Sequence, residues 1–257
     1  MLYFSYGRGF IKLDDEGSYL MPDFVDLACH LTETYRFSSE VDVINSLKYE
    51  FAEKGKGQTF VDIGAHCGTY SVVLSRVFDE VVAFEPEIHT YNILCGNMAL
   101  HNISHRSRCY NVALADKDEE VTYVKLDDIG GNNYCYTGDD DELAKRYYFV
   151  EDQERISMKA RTLDSYNIDN IGLIKIDVEG FELNVLKGSV ETLKRNGYPP
   201  IIVESWGANS CGESLNTEVG RFYNKTQAEL FEYLRNIGYR ITLYDKESDL
   251  YRCDYIK

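Results

Sequence analysis

Thr59-Phe60-Val61-Asp62-Ile63-Gly64-Ala65-His66-Cys67-Gly68-Thr69-Tyr70-Ser71 is the stretch whose reading decides the fold. Phe60, Val61 and Ile63 are apolar and mostly β-branched, which reads as a short buried strand. Gly64 and Gly68 follow, and then Val72, Val73, Leu74 and Val77 recur at helical spacing. Strand, glycine turn and helix open a nucleotide-binding βα unit. Glycine suits such a turn because it accepts left-handed torsions and lets a ligand approach the backbone. The start of the helix offers N–H groups to a carboxylate or a phosphate.

The turn lacks the three glycines of a dinucleotide fingerprint, and Asp62 precedes its first glycine. An acid there opposes a pyrophosphate but tolerates an ammonium. S-adenosylmethionine (AdoMet) carries an ammonium, a carboxylate and a ribose. A second apolar run, Val81 to Phe84, ends in Glu85-Pro86. An acid at the end of the second strand, about 20 residues on, is placed to bond ribose hydroxyls. Glycine turn and Glu85 together favour an AdoMet-type site over a dinucleotide site.

The 257 residues suffice for one large domain, or a domain with an appendage, and 44% are hydrophobic. A formal net charge of −16 repels phosphate backbones, so nucleic acid is not an expected partner. The seven cysteines are scattered, with no C-x-x-C pair and no zinc-like spacing. Neither a signal peptide nor a membrane-spanning run is read, so free thiols and a cytoplasmic setting are expected.

Residues 1–57 read as an N-terminal extension. A strand or hairpin that caps or dimerises comes first, then two helices on Val25, Leu27, Leu31 and on Val41, Ile44, Leu47, Phe51. Ser38-Ser39-Glu40 reads as the break between them and as an N-cap. Residues 58–257 read as the main domain. Residues 87–102 are expected to be helical, and Arg108 to Leu114 to form a third strand and the turn beyond it. Asn111, Val112 and Ala113 then fall at a strand end where an adenine would sit, or at an ordinary strand end.

Residues 115–161 depart from the βα rhythm and read as a lid-like insertion. It has strands at 120–126, 147–150 and 156–160, a turn at Gly130–Asn133, and an acidic loop at Gly138–Glu142. Ile171 to Ile176 reads as a central strand ending in Asp177, Glu179 and Glu182, three carboxylates that raise one another's pKa and supply a candidate base. A helix on Leu183, Val185, Leu186, Val190 and Leu193 follows. Pro199 to Trp206 reads as a strand ending in Glu204, residues 225–237 as a helix, and Tyr239–Tyr244 with Leu250–Ile256 as a closing hairpin.

Several blocks resemble the FkbM-type methyltransferases in order and spacing. They are Phe60 to Ser71, Val82 to Pro86, Asn111 to Leu114, Thr162-Leu163-Asp164, Ile174 to Glu182 and Leu186-Lys187-Gly188. The resemblance spans about residues 58–206. It implies an α/β fold: a Rossmann-like, seven-stranded, mostly parallel, doubly wound sheet with a terminal antiparallel hairpin. It further implies AdoMet as methyl donor and an oxygen nucleophile on a sugar, glycan, polyketide or similar small acceptor. By position, Asp62, Gly64, Ala65, His66, Gly68, Thr69 and Tyr70 hold the methionine part, and Glu85 with Pro86 the ribose. Asn111, Val112 and Ala113 hold the adenine, and Asp177 and Glu179 face the transferred methyl and the acceptor. His66 stands where the family usually has Asn, so it serves either the carboxylate of AdoMet or as a base.

A sugar hydroxyl is a weak nucleophile, and a base within hydrogen-bond reach raises its attacking power. Asp177 or Glu179 is the expected base, with His66 third. Alternatively the carboxylates hold a divalent cation that acidifies the hydroxyl. Two rivals remain. An RNA 2′-O-methyltransferase would use Lys48, Asp177 and Glu204 but lacks a second lysine. A non-catalytic AdoMet-binding module would serve as a partner surface. Oligomeric state is open, with a homodimer as one outcome.

Overall fold

The computed structural model describes residues 3–6, 9–14, 17–21, 37–125, 134–136, 154–207, 218–246 and 248–256. In chain order the elements are β1 (Tyr3–Tyr6), β2 (Gly9–Asp14), β3 (Gly17–Met21), α1 (Phe37–Lys54), β4 (Thr59–Ile63), α2 (Thr69–Leu74) and β5 (Glu80–Phe84). There follow α3 (Ile88–Leu100), β6 (Ser107–Tyr110), β7 (Ala113–Leu114), β8 (Glu119–Lys125), β9 (Tyr134–Tyr136), β10 (Glu154–Arg161) and β11 (Ile171–Ile176). The chain closes with α4 (Glu182–Lys187), α5 (Val190–Arg195), β12 (Ile201–Glu204), α6 (Glu218–Ile237), β13 (Tyr239–Asp245) and β14 (Leu250–Tyr255).

The main sheet has seven strands in the order β13-β14-β12-β11-β4-β5-β6 and is mostly parallel. β4, β5 and β6 run parallel, while β14 pairs antiparallel with both β12 and β13. This is the expected Rossmann-like sheet with its closing hairpin. Position in the sheet explains burial. Every residue of β4, β11 and β12 is buried, as in strands covered on both faces, whereas the edge strands β6 and β13 are largely exposed or half-buried.

The chain divides into two compact units. The first gathers the described residues up to 112, with 170–174. Its N-terminal part is the antiparallel meander β1-β2-β3. On α1, Val43, Ile44, Leu47 and Phe51 are buried at helical spacing, and the Phe51 ring lies 5.0 Å from that of Phe78. Ser38, Ser39 and Glu40 do not break a helix. They lie in the first turn of α1, where the backbone N–H groups lack helical partners in any case. The helix expected on Val25, Leu27 and Leu31 lies outside the described residues. Helix α2 is short, ends before Val77, and is buried from Tyr70 to Leu74. Gly68 precedes it at φ 87°; a Cβ there would lie 2.6 Å from Leu94 Cδ1.

The second unit gathers the described residues of 113–125, 134–136, 154–169 and 175–256. The expected insertion contributes a separate sheet in the order β7-β10-β8-β9, closed over Ala113, Ala115, Val121, Tyr123, Cys135, Ala160 and Phe181. Its expected turn at 130–133, acidic loop at 138–142 and strand at 147–150 lie outside the described residues. The stretch from Arg108 to Leu114 is a strand and the turn beyond it, as expected, but the turn leads into a second sheet. β6 ends at Tyr110, and Ala113 and Leu114 pair with β10 in the other sheet.

The helix expected from Leu183 to Leu193 is two short helices, with Val185, Leu186 and Leu193 buried but Val190 45% exposed. Between them Gly188 meets the Ala115 carbonyl so closely that a Cβ would lie 1.9 Å from its oxygen. Asp164 caps α5 from a distance, its carboxylate accepting the Glu191 and Thr192 N–H groups at 3.1 and 2.7 Å. Pro199 and Pro200 fall outside β12, since proline has no N–H for a ladder. α6 begins seven residues ahead of its expected start at 225. Among the described residues no helix is long and apolar enough to cross a membrane.

Gly188→Ala would drive a methyl into a backbone carbonyl that cannot rotate away. It should lower stability by about 1–3 kcal/mol. Urea unfolding would check this, with Gly57→Ala measuring the cost of a left-handed torsion alone, since its φ is 73° but a Cβ there meets nothing within 4 Å.

Candidate active site

The residues singled out from the sequence fall into two constellations, one in each unit. The first is built on the ends of β4 and β5. Asp62 is fully buried inside β4, and its Oδ2 accepts the Ser71 hydroxyl at 2.6 Å, tying strand to α2. Gly64 at φ 74° turns the chain so that the N–H groups of Gly64 and Ala65 both reach the Phe84 carbonyl at 3.0 Å. His66 continues with φ 50°, a left-handed torsion uncommon outside glycine, and its backbone N–H donates to Glu85 Oε2 at 3.0 Å. The Cys67 carbonyl accepts from Asn97, a fully buried amide on α3, at 2.7 Å. Thr69 is half-buried beside the Cys67 thiol, and Tyr70 is buried in α2.

Glu85 is the hub of this constellation. It is 6% exposed, with Oε2 receiving the His66 N–H and Oε1 the Glu87 N–H at 3.0 Å. Burial pushes its pKa up from 4.5 to about 7, opposed by the nearby His66 and by the two N–H donors. With one donor on each oxygen, the carboxylate keeps lone pairs for a hydroxylated ligand. Asn111 donates its amide to the Glu85 and Pro86 carbonyls at 3.0 and 2.8 Å, which holds the corner. Asn111 is exposed and Val112 half-buried, whereas Ala113 is buried in the core of the second unit.

The second constellation stands at the ends of β11 and β12. Asp177, Glu179 and Glu204 bring one carboxylate oxygen each within 4.8 Å of one another. Lys175, buried inside β11, sets its ammonium 2.8 Å from Asp177 Oδ2. Glu179 sits at φ 54° with Gly180 at φ 101° behind it, a turn that directs the chain back into α4. Backbone strain of this kind gathers at functional sites. Glu204 Oε1 accepts the Trp206 indole N–H at 2.8 Å. The Glu204 carboxyl is held well above its ordinary pKa by burial first, then by the charge of and hydrogen bond with Asp177 and the charge of Glu179.

Two corrections follow. Glu182 is not one of the three close carboxylates, since its Oε1 accepts the Gly180 and Val178 N–H groups at 2.9 and 3.3 Å and closes the turn, although burial first and then the Asp177 charge raise its pKa. The third acid is Glu204, and the lysine beside Asp177 is Lys175. The sequence signal was a shared one, an acid directly after a buried apolar strand in both cases. The arrangement can take up a proton. Its three oxygens are also spaced so that a divalent cation could bridge them.

The raised Glu85 pKa has a sign. Below about pH 4.5 the group is protonated whether the chain is folded or not. As pH rises through about 4.5 to 7 the unfolded chain ionises first, so stability is lost, by an order-of-magnitude total of about 3 kcal/mol. The stability difference between Glu85→Gln and the parent should therefore shift toward the variant as pH rises from about 5 to 8, as read by urea unfolding at each pH.

The methyltransferase FkbM domain, as a family model, matches residues 62–241. Methyltransferase 1 of Beauveria bassiana (strain ARSEF 2860) is 24% identical over 154 residues, covering 54% of this chain and 61% of that protein. Methyltransferase sdnD of Sordaria araneosa is 25% identical over 211 residues, covering 70% of this chain and 80% of that one. A crystal structure of methyltransferase FkbM from Methylobacillus flagellatus KT shares the fold at a TM-score of 0.51 and 16% identity, covering 78% of this chain and 44% of that one. The chain thus spans less than two thirds of the Beauveria protein and less than half of the Methylobacillus one. The matched residues run from Asp62 into β13 and take in both constellations, so the chain belongs to the FkbM methyltransferase family.

Proposed function

We propose that this chain is an AdoMet-dependent O-methyltransferase whose acceptor is a hydroxyl of a sugar, glycan or similar small molecule. The observation that carries the reading is the carboxylate cluster Asp177–Glu179–Glu204 on buried strand ends, in a chain of methyltransferase ancestry. The first constellation suits AdoMet. Glu85 offers a buried carboxylate with spare lone pairs to the ribose hydroxyls, and the left-handed turn at Gly64 and Gly68 is the assigned seat of the methionine part. Asp62 supports that turn from beneath through Ser71.

When bound, AdoMet supplies a methyl group on a positively charged sulfur, so the protein's work is alignment and removal of one proton. Asp177 has one oxygen on the Lys175 ammonium, which fixes its direction. We assign it to orienting the acceptor hydroxyl. Glu179, half-buried on its strained turn, is the assigned proton acceptor, with His66 the alternative. The β7–β10 sheet is assigned as the scaffold of an acceptor lid. A cation-assisted variant is favoured by one observation, the 4.8 Å spacing of the three acids; loss of turnover in EDTA with recovery on Mg²⁺ would establish it.

Glu85→Ala should weaken AdoMet binding about 10–100-fold, the worth of hydrogen bonds to a charged group; unchanged affinity by calorimetry rejects the ribose assignment. Glu179→Gln should cut kcat about 10²–10⁴-fold with S-adenosylhomocysteine affinity kept, and full activity moves the base elsewhere. Incubation with AdoMet, nucleotide sugars and oligosaccharides should release S-adenosylhomocysteine. Tight cofactor binding without turnover on any acceptor favours a binding module, and retention of RNA at low salt favours the 2′-O reading.

A further inference from the structure

Five cysteines have described side chains, and they divide by environment. Cys67, Cys135 and Cys253 are buried, while Cys95 on α3 and Cys109 on β6 are half-buried. Tyr91 and Cys95 are four residues apart on α3 and share one helix face. The Tyr91 hydroxyl donates to the Cys109 carbonyl at 3.3 Å, which brings that face onto β6. Tyr91 and Cys109 also pack against the same core cluster of Ala65, Leu94 and Met98. Cys95, one turn along that face from Tyr91, is the neighbour whose thiol acts on both the Tyr91 hydroxyl and the Cys109 thiol.

We propose that Cys95 and Cys109 form a redox modification site, a thiol pair that closes to a reversible disulfide by exchange with a small disulfide of the glutathione class. The order of events follows from environment. Burial first, then the neighbouring Cys95, push the Cys109 thiol up to about 12, so Cys109 is a poor first attacker. The Cys95 thiolate attacks one sulfur of glutathione disulfide, forming a mixed disulfide and releasing one glutathione. Cys109 loses its proton and attacks the Cys95 sulfur, which breaks the mixed disulfide and releases the second glutathione. Two electrons and two protons pass from the protein thiols to the two glutathiones. Capping Cys95 also removes its charge from beside Cys109, which eases that second attack. The resulting bond ties α3 to β6, whose Tyr110 carbonyl accepts the Glu85 N–H at 3.1 Å.

The test uses the full chain at about pH 8, near the ordinary thiol pKa, with excess glutathione disulfide, followed by alkylation and peptide mass spectrometry. The expected product is a Cys95–Cys109 linked peptide, lost on dithiothreitol treatment, with Cys67, Cys135 and Cys253 alkylated only after unfolding. Cys109→Ser should instead accumulate glutathione on Cys95. A stable glutathione adduct on Cys95 in the parent with Cys109 still alkylatable, or both thiols unmodified, overturns the proposal. The measurement on the parent chain decides the matter even if the variant fails to fold, and it is independent of any methyl-transfer activity.

Discussion

A carboxylate at the end of a strand buried on both faces must find donors, find a cation, or keep its proton, because water is not there to solvate it. Four acids at or near these strand ends solve the problem differently. Asp62 takes the hydroxyl of Ser71, and Glu85 takes two backbone N–H groups from turns on either side of it. Asp177 takes the Lys175 ammonium, while Glu204 takes an indole N–H and shares a hydrogen bond with Asp177. Asp62 and Glu182 thereby become structural, and the cost of burying the others is concentrated at the ends of β5, β11 and β12, where chemistry can use it.

The frame around these acids explains why particular side chains occupy the remaining motif positions. Asn111 holds the corner after β5, Asn97 the turn after β4, and Asp164 the start of α5. Gly188 is small because a carbonyl passes against it, and Gly68 because α3 does. The polar residues give backbone groups their partners, and the small ones leave room for a close neighbour. The left-handed torsions of His66 and Glu179 are held in the same way: the His66 N–H is bound by Glu85, and the Glu179 turn is closed by Glu182.

Much of the main sheet was legible in the chain because its signals are local. β4, β5, β11 and the closing hairpin are apolar runs bounded by glycine, proline or charge, and each run is its own evidence. Where two signals compete, the reading failed. Leu183 to Leu193 keeps a helical period, yet it breaks at Gly188 because the Ala115 carbonyl passes there. Arg108 to Leu114 is the strand and turn it reads as, but nothing local says that after Asn111 bonds the Glu85–Pro86 corner the chain enters another sheet.

The same division runs through the candidate site. Local sequence determined which acids stand at strand ends and which glycines turn after them, because a strand's end and its next turn are written in consecutive residues. Tertiary structure alone decided which acids meet. Glu204 joins Asp177 and Glu179 only because β12 lies next to β11 in the sheet, and Glu182 leaves them only because its carboxylate folds back on the Gly180 N–H. Strand adjacency and hydrogen-bond closure depend on residues distant in the chain and on the direction of side chains, and neither quantity has a local signature.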